Sequence, residues 1–181
     1  MTSFIIKAHE GRELPSSWKE DPECIFCRII RGDASAFKLY ETDKVVAFLD
    51  ILPLRQGHTL VVPKTHYSRV SELPSAYAAA TGEAVSKVAN ALTKAMNNTG
   101  LNIVCNQEYA QAVPHVHYHI IPAPIFSSSS PKNTTQDIEG GGDHRTRTLT
   151  QKEMHKAEFE TRNELDYDEA EELAKRIKSR L

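Results

Sequence analysis

The 181-residue chain lacks several features, and each absence narrows the class of protein to which it can belong. Its three cysteines are too few, and odd in number, for a disulfide framework, which favours reduced thiols or a metal site. No apolar run approaches the length of a membrane-spanning helix, so we expect no membrane partner. The formal net charge of −2 gives no general attraction to polyanions, and we expect no direct nucleic-acid binding.

The first residues also lack the pattern of a secretory signal. Their short apolar patch, at residues 4–6, is followed at once by charged residues. We therefore expect the protein in the cytosol, with the nucleus as a second compartment. The composition, at 40% hydrophobic and 25% charged residues, is otherwise ordinary for a globular protein.

A run of three histidines is the most informative feature that the sequence does contain. His115, His117 and His119 alternate with apolar residues between two prolines. Strict alternation predicts a strand with all three imidazoles on one face. Three imidazoles are costly to bury as plain core, because each needs hydrogen-bond partners. Since imidazole can bind a transition metal or attack phosphorus, the run predicts a metal or catalytic site.

The remaining patterns predict an α+β fold, with an antiparallel five-stranded sheet and one long helix. An apolar helical period over residues 74–98 ends at an Asn-Asn-Thr-Gly stop, and a short helix near residues 25–30 ends at Gly32. The strands are predicted at residues 37–40, 45–50, 58–63, 101–106 and 113–122.

Composition divides the chain into three parts. Residues 1–21 form a loosely ordered leader, residues 22–125 the main domain, and residues 126–181 a Ser/Gly-rich loop followed by a helix. Asp166 and Glu169 predict the start of that helix as a capping-box variant. Its apolar stripe is expected to dock on the domain or on a second copy, and consists of Ala170, Leu173, Ala174, Ile177 and Leu181.

The order His-apolar-His-apolar-His-apolar-apolar at residues 115–121 resembles the signature of the histidine-triad (HIT) superfamily of nucleotidyl hydrolases and transferases. The similarity runs from Cys24 to Pro122 and includes the blocks at 24–33, 46–51 and 57–66, as in the Hint-like branch. The long loop and terminal helix resemble those of fungal members.

The resemblance implies a purine nucleoside phosphoramidase. His117 is then the nucleophile on the α-phosphorus and forms a nucleotidyl-histidine, while His119 contacts and orients the phosphate. His117 needs a hydrogen-bond acceptor on its other nitrogen to fix the tautomer, and a backbone carbonyl is expected there. The implied nucleotide-binding residues are Asp50, Ile51, His58, Asn106, Ala110, Gln111, Ala112, His117 and His119.

Cys24 and Cys27 by themselves have two interpretations, a pair of small buried residues on one helical turn or half of a metal site. The resemblance adds His66 and His115, which completes a Cys₂His₂ set for structural zinc. It implies no organic cofactor. His115 is then a metal ligand and takes no part in the chemistry.

The resemblance also implies a homodimer and leaves other functions open. One is a dinucleoside polyphosphate hydrolase of the Fhit type, and another is a nucleotide-binding interaction module with little catalysis. A relative of the aprataxin type is disfavoured, because the tail has no zinc finger and no large basic cluster. The loop before the triad departs from the family pattern: it is shorter, it lacks the usual glycines, and Ala112 occupies a position that often carries Ser or Thr.

Overall fold

The structure is a computed structural model that describes residues 23–124 and 164–181. The predicted leader at 1–21 and the Ser/Gly-rich loop, up to residue 163, lie outside the described residues. None of the helices in the described ranges has the length and apolar character needed to cross a membrane.

Five strands form one antiparallel sheet, which confirms the predicted α+β architecture. Their order across the sheet is β1-β2-β3-β5-β4, so that β4 lies at one edge. In chain order the strands are β1 (Lys38–Glu41), β2 (Val45–Leu49), β3 (Thr59–Pro63), β4 (Leu101–Cys105) and β5 (Tyr118–Pro122).

Three α-helices accompany the sheet within residues 23–124 and 164–181, and each begins or ends at a residue suited to that place. They are α1 (Ile25–Arg31), α2 (Ser75–Met96) and α3 (Tyr167–Lys178), and a short 3₁₀ turn covers Val70–Glu72. Gly32 ends α1 with φ of 88°, and Asn97 ends α2 with φ of 49°. The Asp166 carboxylate accepts the Glu169 N–H at 3.0 Å, so the predicted cap of α3 is confirmed.

The centre of the sheet is buried on both faces, and β2 and β3 accordingly have no exposed residue. Val45, Ala47 and Leu49 pack towards α2 and α3, whereas Val46 and Phe48 pack towards α1. The predicted stripe of α3 docks on the chain's own domain through Ala170, Leu173, Ala174 and Ile177. The inclusion of Leu181 was wrong: it is 46% exposed, because the helix ends before it.

The strand of the histidine triad starts later than predicted, at Tyr118 instead of Val113. Pro114 has no N–H for a ladder, and the Val116 N–H donates to the Tyr67 carbonyl at 2.6 Å. The third histidine therefore lies in β5, and the first two lie in the segment that leads into it.

Candidate active site and metal centre

Two thiols and two imidazoles meet between α1 and the segment before β5. Cys24 Sγ lies 3.5 Å from His115 Nδ1, and Cys27 Sγ lies 3.2 Å from His66 Nδ1 and 3.6 Å from His115 Nδ1. The four ligand atoms are all within 4.8 Å of one another. In tetrahedral zinc, with bonds of about 2.3 Å to sulfur and about 2.0 Å to nitrogen, sulfur and nitrogen are about 3.5 Å apart. The donor set and its spacing therefore fit zinc.

The hydrogen bond of His115 Nε2 fixes the tautomer in which Nδ1 can bind a metal. His115 Nε2 lies 2.8 Å from the Pro63 carbonyl, which can only accept, so the proton is on Nε2 and the lone pair is on Nδ1. Burial lowers the pKa of His115 to about 4, which keeps the ring neutral as a ligand must be. Four protein ligands leave no open position, so such a metal would fasten α1 to the chain before β5.

The middle histidine has the tautomer that a nucleophile needs. His117 Nδ1 donates to the carbonyl of His115 at 2.6 Å, which leaves the lone pair on Nε2. The acceptor is a backbone carbonyl, as the sequence predicted. Burial lowers the pKa of His117, while the bond to His115 partly offsets this effect, and the net result favours the neutral ring.

His117 is 3% exposed, and its ring packs against those of Phe26 and His119. Within the described ranges, the one buried side-chain nitrogen or oxygen without a hydrogen-bond partner is His66 Nε2. The cysteine-histidine cluster found among these residues does not include His117. Among the described residues, Nε2 of His117 is therefore neither part of the cysteine-histidine cluster nor a buried atom without a hydrogen-bond partner.

A second group of polar side chains flanks His117. Its ring centroid is 4.8 Å from that of His119, and His119 Nδ1 lies 2.9 Å from His58 Nε2. The Leu54 N–H donates to His58 Nδ1 at 3.1 Å, so the His58 proton is on Nε2 and His119 accepts it. The remaining proton of His119 is then on Nε2. Asp50 Oδ2 lies 3.3 Å from His58 Nδ1, which brings the predicted ribose-binding carboxylate to the same group.

The loop before the triad is shaped by Gln111, and here the structure corrects a predicted role. The side chain is 2% exposed, its Oε1 accepts the Glu108 N–H at 2.8 Å, and its Nε2 donates to the Ser68 carbonyl at 2.8 Å. The amide is therefore used within the protein and is not directed at a phosphate. The predicted contacts of Ala110 and Ala112 with a phosphate, which would use their backbone N–H groups, stay predictions.

The same loop holds two residues in the left-handed region, where glycine is usual. Glu108 has φ of 61° and Ala110 has φ of 56°. An ion pair between Arg69 and Glu108 and a bond from the Ser71 N–H to the Gln107 side chain fasten the loop. These contacts offset the strain that the missing glycines create.

The other predicted residues lie in the chain segments that follow β2 and β4. Ile51 follows β2 and is 72% exposed, Ala112 is exposed, and Asn106 follows β4 and is half-buried. Sequence reasoning missed Phe26, whose ring edge contacts both His115 at 5.9 Å and His117 at 5.1 Å between centroids. The sequence signal for Phe26 was its position between the two cysteines. That signal was not sufficient, because an apolar residue there is also expected on the core-facing side of a helix.

An antiparallel sheet with His117 and His119 beside it and a cysteine-histidine cluster next to them is the arrangement that the resemblance to the histidine-triad superfamily implies. The model of the HIT domain matches residues 31–124, more than half of the chain. The chain therefore belongs to the HIT family, and the predicted family and fold are confirmed.

Relatives of known name agree with this assignment. The adenylylsulfatase HINT3 of Arabidopsis thaliana is 41% identical over 115 residues, which are 62% of this chain and 57% of that protein. The adenosine 5'-monophosphoramidase HNT1 of Candida albicans is 40% identical over 105 residues, 55% of this chain and 69% of that protein. A zinc-bound histidine triad family protein from Mycobacterium smegmatis has a TM-score of 0.62 and 27% identity, over 87% of this chain and 91% of that one. The match thus spans just over half the length of the A. thaliana relative.

Proposed function

We propose that this protein hydrolyses purine nucleoside phosphoramidates, that is, conjugates of adenosine monophosphate with an amine, through a nucleotidyl-histidine intermediate. The observation that carries the proposal is the bond from His117 Nδ1 to the His115 carbonyl. It places the lone pair on Nε2 of a ring that burial keeps neutral, so the ring is ready to attack phosphorus.

The reaction proceeds in two balanced steps. His117 Nε2 forms a bond to the α-phosphorus, the P–N bond of the substrate breaks, and the departing amine takes a proton. Water then attacks the same phosphorus and the P–Nε2 bond breaks. The water's hydroxyl leaves with the nucleoside monophosphate, and its other proton replaces the one that the amine took in the first step. His119 carries a proton on Nε2, and its ring lies 4.8 Å from that of His117, so it can donate to a phosphate oxygen or to the leaving amine.

Asp50 and Ile51 supply the nucleoside part of the site. Asp50 Oδ1 accepts the Leu52 N–H at 2.9 Å, and a carboxylate held in this way can accept from two neighbouring ribose hydroxyls. Ile51 presents an exposed apolar side chain for the face of a purine ring. The HNT1 protein of C. albicans is named for activity on adenosine 5'-monophosphoramidate, which supports this substrate class.

The test is to mix purified protein with adenosine phosphoramidate and to follow adenylylation by mass spectrometry. We expect a transient adenylyl group on His117. His117→Ala should lose turnover and still bind adenosine monophosphate. Full turnover by His117→Ala would rule out the proposal.

Adenylyl sulfate is a second candidate substrate. The A. thaliana relative is named an adenylylsulfatase, and Ala112 provides no hydroxyl at an exposed position of the loop. Sulfate leaves as a stable anion without taking a proton, so a site that lacks a hydroxyl donor still suits it. Comparing kcat/KM for the phosphoramidate and for adenylyl sulfate separates the two. The same comparison with diadenosine polyphosphates tests the Fhit-type alternative, and AMP binding without any adenylylation would indicate a binding module.

We also propose that the Cys₂His₂ set holds structural zinc, that two copies associate, and that the protein acts in the cytosol or nucleus. The zinc proposal is supported by the ligand spacing and by the zinc-bound structural relative. The dimer is supported by the edge position of β4, on which Ile103 is 45% exposed. Metal analysis of the purified protein tests the zinc proposal, and light scattering tests the dimer.

A further inference from the structure

The C-terminal segment 164–181 reaches the edge of the nucleotide site through a backbone hydrogen bond. The Leu165 N–H donates to the Ile51 carbonyl at 3.0 Å. Ile51 directly follows Asp50, whose carboxylate lies 3.3 Å from His58 Nδ1. A residue that sequence reasoning placed outside the main domain is thus one hydrogen bond from the site.

The edge that Leu165 contacts is apolar and open. Ile51 is 72% exposed and Leu52 is 47% exposed, beside a group of carboxylate and imidazoles. Such side chains suit the face of a heteroaromatic ring whose polar substituents are bound nearby. The peptide group between Ile51 and Leu52 is held at both ends, because its carbonyl accepts from the Leu165 N–H and its N–H donates to the Asp50 carboxylate.

The donor itself belongs to a well-held element. Leu165 packs against the core directly before the Asp166 cap, and Ala170, one turn further on, is fully buried. This spacing is that of a hydrophobic staple, which fixes the angle at which the chain enters a helix. The Tyr167 ring also contacts the ring of Phe37, the residue directly before β1, with centroids 4.8 Å apart. The position of the Leu165 N–H is therefore set by the packing of α3.

We propose that the C-terminal segment positions the base-binding edge of the site, with the Leu165 N–H fixing the Ile51 carbonyl. The inference rests on the proposed function, since it assigns the Ile51–Leu52 edge to the base of the nucleotide. A base contact is made equally in the ground state and the transition state, so it affects KM and Kd and leaves kcat unchanged.

Two variants separate the hydrogen bond from the packing. Leu165→Pro removes both the N–H and the leucine side chain, and at this position before the helix proline breaks no intrahelical hydrogen bond. Leu165→Ala removes the side chain and keeps the N–H. Relative to Leu165→Ala, we expect Leu165→Pro to raise KM for adenosine phosphoramidate and Kd for AMP about fivefold, which is the net value of one hydrogen bond. The value of kcat should stay within about twofold, and binding of ribose 5-phosphate, which has no base, should be the same in both.

Equal AMP affinity in two folded variants, or a fall in kcat at unchanged KM, would overturn the inference. If Leu165→Pro does not fold, hydrogen exchange of the wild-type protein provides the test. AMP should slow exchange of the Leu165 amide, and ribose 5-phosphate should not. An unchanged exchange rate with AMP would overturn the inference. If the wild-type protein binds AMP but does not turn over adenosine phosphoramidate, only the proposed hydrolysis is contradicted. The Kd values of the two variants for AMP would still test whether Leu165 positions the base-binding edge. Wild-type protein that does not bind AMP would overturn both.

Discussion

His117 donates from Nδ1 to the carbonyl oxygen of His115 at 2.6 Å, and the ring of His115 belongs to the cysteine-histidine cluster. One residue therefore fixes the tautomer of the proposed nucleophile with its backbone and contributes to the metal centre with its side chain. Phe26, between the two cysteines, contacts both rings. A metal at this centre would hold the peptide on which the nucleophile depends, as well as helix α1.

Loss of the metal should accordingly slow the chemistry more than it weakens binding. We expect Cys27→Ser to lose bound zinc and to lower kcat for adenosine phosphoramidate about tenfold, which is typical when the support of a functional group is lost. KM should change little, since the nucleotide contacts lie elsewhere. Metal analysis, kinetics and thermal unfolding of the same preparation provide the measurements.

The control for the metal experiment is Cys105→Ser, which changes the thiol that lies outside the cluster. It should keep both zinc and kcat. Undiminished kcat in metal-free Cys27→Ser would show that the nucleophile does not depend on the cluster.

Substitution of His58 should act through His119. His58→Ala removes the donor that lies 2.9 Å from His119 Nδ1, so His119 loses the contact that fixes its tautomer. We expect kcat to fall about tenfold, the value of one lost hydrogen bond in the transition state. His58→Gln, whose amide can still donate, should recover part of the loss. Equal kcat in the two variants, with both folded by circular dichroism, would contradict this role.

A hydroxyl at position 112 should assist an amine leaving group. Ala112 is exposed in the loop before the triad, and we expect Ala112→Ser to raise kcat for adenosine phosphoramidate about threefold through one added hydrogen bond. Turnover of adenylyl sulfate should not change, because sulfate needs no proton. Ala112→Thr and Ala112→Val have the same shape, so their difference isolates the hydroxyl. No gain with Ser or Thr would mean that the missing hydroxyl is irrelevant.

Gly57 should be less replaceable than Gly32, although both have similar positive φ values of 85° and 88°. A Cβ at Gly57 would lie 3.2 Å from Pro122, whereas a Cβ at Gly32 would meet no atom within 4 Å. We expect Gly32→Ala to cost about 1 kcal/mol of unfolding free energy from the left-handed backbone alone, and Gly57→Ala about 1 kcal/mol more from crowding. Urea unfolding measures both. Equal losses would show that the structure accommodates the methyl group beside His58.

Local patterns in the sequence predicted most of the fold. The apolar period of α2, the glycine after α1 and the Asp166–Glu169 pair were sufficient, because each depends on neighbours within one or two turns. The resemblance to the histidine-triad superfamily likewise joined His66 and His115 to the two cysteines, and the structure brings these four residues together. Such motifs are readable because they specify residue types at fixed separations.

Other features were decided by tertiary contacts alone. The sequence determined that residues 113–122 alternate, but the bond from Val116 to Tyr67 decided where β5 begins. It determined that Gln111 is a polar residue near the triad, but Ser68 decided which way its amide points. It determined a helix after Asp166, but only the fold places Leu165 against Ile51. The physical reason is the same in each case: a backbone or side-chain group has several possible hydrogen-bond partners, and packing of distant segments selects one of them.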